Sequence, residues 1–383
     1  MRLPVDARRW AAAGFAVALL AGVAALFWTT QTEAGHARVL ALTLRVLGGR
    51  LQGRLAIERI RGNLLAGARL DGLHLLDPRG DTLLAADSAY VRYDLRTLFG
   101  SVIVLRHVEL YRPRVWIQRL PGDSLWNYEL VFRDTTPGDT AGGTVLRVDT
   151  LRLLDAIVRV RQPWTPSPGE DTTRLDLRLV PGGRWLQRTF RFDSLAVANL
   201  VYGSLDRVGL GAELVQARGQ LALWRGEPLR IRAARGRLRL RHDSLQVRLP
   251  ELRLPASRGA FEAFVRLGDS LRYELAAEVD RAALADLRWL LPRVPRQGVL
   301  RARVLYRSDG PRQFLWVDSL DVDTPGTRLR GRLAVRFGDT VQVNDTDLRA
   351  RPFDPTLLTK ILPFPLPVDH LRVRAATFRT TER

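Results

Sequence analysis

Hydrophobic and polar residues alternate with a period of two through long stretches of this chain. The alternation is clearest in residues 174–179, 237–241, 245–249 and 328–337, and it is nearly as regular in residues 271–279. Each segment places aliphatic side chains on one face and arginine or acidic side chains on the other, as in a half-buried antiparallel sheet. Turn signals containing Gly, Pro or Asp recur between the segments, and no strand–helix–strand rhythm suggests parallel strands. The pattern predicts an all-β body, an elongated and curled antiparallel sheet with a few short helices.

Helices are predicted at only four places, residues 10–28, 37–47, 281–291 and 355–362. The last two are bounded by proline, which ends a helix. All four are therefore interruptions or flanks of the sheet rather than a helical layer.

A short motif, Asp followed by Ser or Thr and then Leu, recurs along the body. Asp, Ser and Thr side chains hydrogen-bond to nearby backbone and close turns, and Leu can begin the next strand. We therefore predict that the motif marks strand entry. It occurs at residues 81–83, 123–125, 149–151, 193–195, 243–245, 269–271 and 318–320.

Residues 10–28 form an uncharged apolar run that follows Arg8 and Arg9. At 1.5 Å per helical residue the run reaches about 28 Å, close to the roughly 30 Å of a bilayer's hydrocarbon core. The alternative, a cleaved signal peptide, has a shorter apolar region and a small-x-small cleavage site, for which residues 29–37 offer poor candidates. We predict a transmembrane signal anchor. Its residues include Trp10, Phe15, Leu19, Leu20, Leu26, Phe27 and Trp28.

The charges around this run predict its orientation. Arg2, Arg8 and Arg9 precede it, so the positive-inside tendency keeps the N-terminus in the cytoplasm and exports the residues after Trp28. The protein is therefore expected to cross the membrane once, with most of its chain exported. The predicted organisation is a cytoplasmic N-terminus (1–9), the anchor (10–28), a short linker helix (29–50) and a β-rich periplasmic domain (51–383).

The chain has a formal net charge of +20, and Lys360 is its only lysine, so arginine supplies nearly all of the positive charge. One interpretation is attraction to polyanions, either nucleic acid or anionic lipid. The other is a compositional preference for arginine on the wet face of strands. We favour the second because the arginines are dispersed and form no patch. No nucleic-acid-binding module occurs, so no nucleic-acid partner is expected.

Candidate catalytic motifs lack the context that catalysis needs. Residues 122–125 and 268–271 read Gly-Asp-Ser-Leu and resemble the nucleophile block of the GDSL esterases. That family needs an Asp-x-x-His pair on an α/β scaffold, whereas Asp369 directly precedes His370 here and the pattern is all-β. The chain has no cysteine and its five histidines lie far apart, so we expect no metal, no cofactor and no enzymatic activity. An exported hydrolase that uses Ser270 is the remaining enzymatic alternative.

Several segments follow one order: strand, Gly, strand, Asp-Leu turn, and a strand that begins after proline. In this order they resemble the AsmA-like proteins, especially the TamB family, inner-membrane subunits of the translocation and assembly module. The segments are residues 53–64, 70–80, 85–95, 98–100 and 110–117, and residues 285–292, 298–300 and 354–358 resemble the short helices that interrupt such sheets.

The resemblance implies a single-pass protein in the inner membrane of a Gram-negative-type envelope, with most of its chain in the periplasm. It also implies a trough whose apolar concave face holds phospholipid acyl chains, for lipid transport, outer membrane biogenesis and protein secretion. Alternation alone is equally consistent with a closed sandwich, since it reports a buried face and not what covers that face. The resemblance favours the trough. The predicted groove residues are Leu175, Leu177, Leu179, Leu245, Val247, Leu249, Val265, Leu267, Leu271, Tyr273, Leu275, Leu333, Val335 and Phe337.

The chain departs from the family in length. TamB-type proteins are longer and end in a β-rich domain that engages an outer-membrane barrel protein, whereas this chain ends at Arg383. Binding to a barrel partner would need a further C-terminal region and is not carried over. The alternative function is a periplasmic scaffold for outer-membrane protein assembly or secretion, without lipid transfer, which offers sheet edges to unfolded strands.

Overall fold

The sheet expected from the alternation accounts for nearly all of the regular structure. A computed structural model describes residues 52–62, 67–94, 96–97, 102–132, 145–166, 172–202, 210–241, 244–267, 271–309, 312–338, 340–355, 357 and 376–379. Within these residues 18 strands join a single sheet, which confirms the all-β class. The predicted anchor (10–28) and linker helix (29–50) lie outside the described residues. None of the helices in the described ranges has the length and apolar character that a membrane span requires.

The strands vary from four to twenty residues. An α-helix, α1, spans Asn127–Phe132, and 3-10 helices span Thr172–Arg174 and Leu284–Leu287. The strands are β1 (Arg54–Arg61), β2 (Ala68–Leu76), β3 (Thr82–Tyr93), β4 (Val102–Tyr111), β5 (Arg114–Gln118), β6 (Val145–Pro163), β7 (Leu177–Val180), β8 (Gly183–Tyr202), β9 (Leu210–Ala222), β10 (Leu229–Arg241), β11 (Ser244–Arg253), β12 (Arg258–Leu267), β13 (Leu271–Ala283), β14 (Val299–Asp309), β15 (Arg312–Thr324), β16 (Thr327–Phe337), β17 (Gln342–Ala350) and β18 (Ala376–Arg379).

Most strands pair with their neighbours in sequence. From β8 to β18 each strand pairs antiparallel with the next along the chain. At the other end β1, β2 and β3 pair in the same way, and β6 joins the two parts by pairing with β8. The short β7 pairs with the start of β8. Such sequential pairing needs only short connections, which is why turn signals recur between the alternating segments.

One part of the sheet is parallel, so the prediction of an antiparallel sheet throughout was wrong. Both β4 and β5 pair parallel with β6. They form one interrupted line, because Arg112 has a φ of 48° and Pro113 has no N–H to donate. A parallel pair needs a long crossover connection, and residues 119–144, which contain α1, supply it. The turn signal at residues 121–123 therefore begins a crossover rather than a hairpin.

The helix predicted at residues 281–291 is largely absent. Residues 281–283 belong to β13, and only Leu284–Leu287 form a short 3-10 helix. Ala283 lies opposite Val299 of β14, so pairing in the sheet takes the first residues of the predicted helix. The segment predicted as helix 355–362 lies mostly outside the described residues.

A line of register shifts crosses the sheet. Every antiparallel pair from β8–β9 to β16–β17 contains at least one shift, and the shifts lie side by side from strand to strand. Asn199, Ser319 and Asp345 lie on this line with φ angles of 50°, 53° and 41°. A β-bulge bends its strand and increases the local twist, so a continuous line of bulges favours curvature of the whole sheet.

The Asp-Ser/Thr-Leu motif has two structural roles. Thr82 begins β3 and Ser244 begins β11, as predicted for strand entry. Residues 318–320, by contrast, lie inside β15 at a register shift, and residues 193–195 lie inside β8 at another. In the copy at residues 318–320, Ser319 adopts a left-handed conformation at the shift, which polar residues with short side chains tolerate better than β-branched or bulky ones.

Candidate functional site

The pairing register assembles apolar residues of successive strands into rows on one face of the sheet. Val247 of β11 lies opposite Leu238 of β10 and Ala263 of β12. Ala263 lies opposite Leu275 of β13, which lies opposite Tyr306 of β14. Directly opposite residues of an antiparallel pair share a face, so these five residues form one continuous row.

The row continues through Leu315 of β15 to Val335 of β16 and so crosses seven strands. At a spacing of about 4.8 Å, seven strands span about 29 Å, so the row is long enough to contact an extended acyl chain over its whole length. Two further rows flank the first. One contains Leu245, Val265, Tyr273, Ser308, Gln313 and Phe337, and the other contains Leu249, Phe261, Ala277, Val304, Val317 and Leu333.

The side chains of this face are only half-buried. Val247, Leu275 and Val335 each keep an intermediate exposure, whereas apolar side chains between two packed sheets lose nearly all of their exposed surface. The buried cluster that includes Val197 and Leu214 gathers its contacts from neighbouring strands, β6 to β11. Within the described residues, the chain itself therefore covers the apolar face of β11–β16 only incompletely.

Most of the predicted groove residues lie on this face. Leu267 and Leu271 pair with each other where β12 meets β13, and the structure describes their backbone only. The residues that the register places together on the face are Leu245, Val247, Leu249, Val265, Tyr273, Leu275, Leu333, Val335 and Phe337.

The three groove residues predicted around β7 are placed differently. The strand predicted at residues 174–179 begins only at Leu177, because the backbone N–H of Leu175 donates to the Thr172 carbonyl and closes a 3-10 turn. Leu175 is buried, Leu177 lies opposite Leu186 of β8, and Leu179 is 84% exposed. Three strands, β8, β9 and β10, separate them from β11.

A polar cluster joins Tyr306 of the first row to Tyr273 and Gln313 of a flanking row. The rings of Tyr273 and Tyr306 are 5.7 Å apart, and the Tyr306 hydroxyl donates to Gln313 Oε1 at 2.6 Å. Burial raises the pKa of Tyr306, and its hydrogen bond with Tyr273 raises it further. Tyr306 therefore stays neutral at physiological pH, and the cluster offers hydroxyl and amide groups beside an apolar surface.

The sequence reasoning missed Arg188. It lies opposite Val160 of β6, on the same side of β8 as the apolar Leu186 and Phe190. Burial lowers its pKa, and no acidic side chain among the described residues forms an ion pair with it. Because arginine also alternates with apolar residues elsewhere, its face can be assigned only from the register of β6 and β8. A half-buried cation on an apolar face is suited to an anionic group attached to an apolar ligand.

The structure describes only the first of the two Gly-Asp-Ser-Leu motifs in full. In the first Gly-Asp-Ser-Leu motif, Arg79 donates to Asp123, and this hydrogen bond lowers the pKa of the Asp123 carboxyl group. Ser124 is exposed beside it, and Ser270 of the second motif lies outside the described residues. No group of three His, Cys, Asp or Glu side chains in the described ranges could hold a metal ion.

Comparison with known proteins leaves the family open. No protein-family model matches the chain, and no curated protein is detectably similar to it. The geometry of the apolar face is therefore the main indication of function.

Proposed function

We propose that this protein holds the acyl chains of phospholipids on the apolar face of β11–β16. The observation that supports the proposal is the set of apolar rows around Val247, Leu275 and Val335, which crosses adjacent strands and remains half-buried. A large apolar surface that the chain leaves uncovered is typical of a binding surface.

The proposal takes the sheet to be an elongated trough with a concave apolar face. Two observations favour a trough over a closed sandwich: the strands join a single sheet, and a line of bulges favours curvature along it. The packing of the buried cluster around Val197 also favours a trough, because the residues packed against it belong to neighbouring strands of the same sheet.

The energetic role of such a trough is to replace water around the acyl chains. Exposure of a methylene group to water costs about 0.8 kcal/mol, so a chain of fifteen carbons costs about 12 kcal/mol. Apolar rows that shield part of the chain lower this cost at each position along the sheet. The chain can then move along the face without any covalent chemistry.

The cellular setting of the proposal comes from the sequence. The apolar run at residues 10–28 and the resemblance to AsmA-like proteins suggest a protein anchored in the inner membrane, whose periplasmic sheet carries phospholipid toward the outer membrane. Arginines on the opposite face keep a long sheet soluble and discourage pairing between its edges.

Photocrosslinking in cells tests the proposal on the full chain. A photoreactive amino acid at Val247, Leu275 or Val335 lies on the apolar face, and one at Gln246 or Arg336 lies on the opposite face of the same strands. We expect phospholipid adducts, detected by mass spectrometry of the purified protein, at the first three positions. Adducts in equal yield at Gln246 and Arg336 would contradict a lipid-binding face, and protein adducts in place of lipid would favour the scaffold alternative.

A further inference from the structure

An open cleft of about 730 Å³ lies on the polar face, where β6, β8 and β9 run beside the short β7. Arg159 and Arg161 of β6 alternate with the apolar residues of that strand, so they point away from the apolar face of the sheet. Arg178 of β7 and Arg191 of β8 complete a set of four arginines around the cleft. Arginines that are dispersed along the sequence are thus brought together by strand pairing.

The positive charge of the cleft is only partly neutralised. Asp176 lines the cleft and pairs with Arg178 at 3.2 Å and with Arg225 at 4.0 Å. Four arginines against one aspartate leave the lining with a formal charge of +3. Within the described residues Arg159, Arg161 and Arg191 have no acidic side chain at ion-pair distance.

Neutral side chains hold the central arginine in place. Arg161 Nε donates to Gln187 Oε1 at 3.0 Å, and Arg161 Nη1 lies 3.5 Å from Gln118 Oε1. Its guanidinium lies over the Trp185 ring at 5.3 Å, and Trp185 Nε1 donates to the Arg119 carbonyl. Since amides and a ring orient the guanidinium without neutralising it, its remaining donors are directed and its charge is available.

The cleft is electrostatically unfavourable when it is empty of anions. Burial lowers the pKa of Arg161, and the charges of Arg159 and Arg178 lower it further. A bound anion would offset both effects, because it pairs with the buried charge and screens the repulsion between the arginines.

We propose that this cleft binds a phosphate group. Several guanidinium groups that line one cleft supply the positive charge and the hydrogen-bond donors that the acceptor oxygens of a phosphate require, and arginine forms bidentate hydrogen bonds with phosphate. The phosphate comes either from a free phosphate compound or from the headgroup of a phospholipid, and the cleft is larger than the phosphate group itself. This site lies on the face opposite the apolar rows, and it does not depend on the proposed lipid function.

Calorimetric titration of the full-length protein in nonionic detergent tests the site. The probes are inorganic phosphate, dihexanoylphosphatidic acid and dihexanoylphosphatidylcholine. Saturable binding of both inorganic phosphate and the phosphatidic acid indicates a site for the phosphate group alone. Binding of the phosphatidic acid without inorganic phosphate indicates a lipid headgroup, and binding of none of the three probes overturns the proposal.

The matched variants are Arg159→Gln with Arg191→Gln in the cleft, and Arg239→Gln, an exposed arginine near the end of β10, as the control. Each lost charge-assisted hydrogen bond weakens binding by about tenfold, so the double variant should bind about 100-fold more weakly and the control as the wild type. Equal affinity of the double variant and the wild type overturns the proposal. Circular dichroism tests whether both variants fold. If the double variant does not fold, Arg178→Gln provides a second cleft variant. Photocrosslinking of lipid at Val247 should be the same in the cleft variants, which separates this site from the proposed function.

Discussion

Gly331 of β16 lies against the backbone carbonyl oxygen of Asp347 in β17, beside the register shift between these strands. Its φ is 142°, a conformation that residues with a side chain rarely adopt. A Cβ at this position would collide with the carbonyl oxygen. The bulge line that favours curvature of the sheet thus depends at this point on the absence of a side chain.

Gly331→Ala should therefore destabilise the protein by about 3 kcal/mol, from the collision and the unfavourable φ together. The matched control is Gly211→Ala in β9, where an added Cβ meets nothing within 4 Å and φ is not positive. We expect the control to be neutral or slightly stabilising. Urea unfolding followed by circular dichroism measures both, and equal effects of the two substitutions would contradict a role for the close approach.

Loss of Asn127 should weaken the attachment of α1 to the sheet. Its Oδ1 accepts from the Gln118 backbone N–H at 2.9 Å, and its Nδ2 donates to the Trp116 carbonyl at 2.7 Å, with the side chain almost fully buried. Asn127→Ala leaves both backbone groups without this partner and should cost about 3 kcal/mol. Asn127→Asp keeps an acceptor for the Gln118 N–H but places a buried carboxylate oxygen against the Trp116 carbonyl oxygen, so it should cost at least as much in the same unfolding measurement. An alanine variant as stable as the wild type would show that α1 is held by other contacts.

Because of Tyr306, the free energy of unfolding should fall as the pH rises in the alkaline range. Its pKa is raised in the folded protein, so the tyrosine ionises in the unfolded chain from about pH 10 while it stays neutral in the folded one. The contribution of neutral Tyr306 to the free energy of unfolding is fully present below about pH 10 and is lost as pH rises through the folded-state pKa. Tyr306→Phe lacks this contribution and the hydrogen bond to Gln313, so it should be less stable by about 1 kcal/mol at pH 8. The difference in unfolding free energy from the wild type should shrink at pH 11, whereas a constant difference would show that Tyr306 does not titrate in this way.

Arg188 should increase the share of anionic phospholipid that the protein binds and lower the free energy of unfolding. Arg188→Leu removes a half-buried charge without an acidic partner among the described residues and extends the apolar surface, so we expect stability to rise. The share of anionic phospholipid among the crosslinked adducts should fall. Arg184→Leu, an exposed arginine on the same side of β8, is the control and should change neither quantity. A rise in stability with an unchanged lipid profile would mean that Arg188 does not contact headgroups.

The strands of the sheet could be predicted because alternation is a local property. Residues 245–249 have apolar and polar positions in strict alternation, and β11 contains them all. The parallel pairing of β4 with β6 could not be predicted in this way, since it depends on a crossover of residues 119–144 whose ends meet only in the folded chain. The same limit applies to residues 281–283, where pairing with β14 outweighed a helical pattern.

The candidate site was also predictable where it depends on local alternation and unpredictable where it depends on pairing between strands. Alternation indicated that Val247 lies on the same face as the other apolar residues of β11, and Val335 on the same face as those of β16. Which residues of neighbouring strands lie opposite each other depends on the register, and bulges shift the register. The arginine cleft was missed because Arg161, Arg178 and Arg191 are widely separated in sequence and meet only through the pairing of β6, β7 and β8. Composition records their number but not their proximity.

The most direct test of the lipid-binding face is the phospholipid content of the full-length protein, measured by mass spectrometry of organic extracts after identical purification. The groove variant is Val247→Asp with Val335→Asp, and the control is Gln246→Asp with Gln342→Asp, which places the same charges on the opposite face. Lipid around the predicted anchor is the same in all samples, so the difference between them reports the sheet. We expect the groove variant to lose at least one phospholipid per protein while the control keeps the wild-type content. Equal phospholipid in the wild type, the control and a folded groove variant would contradict the account.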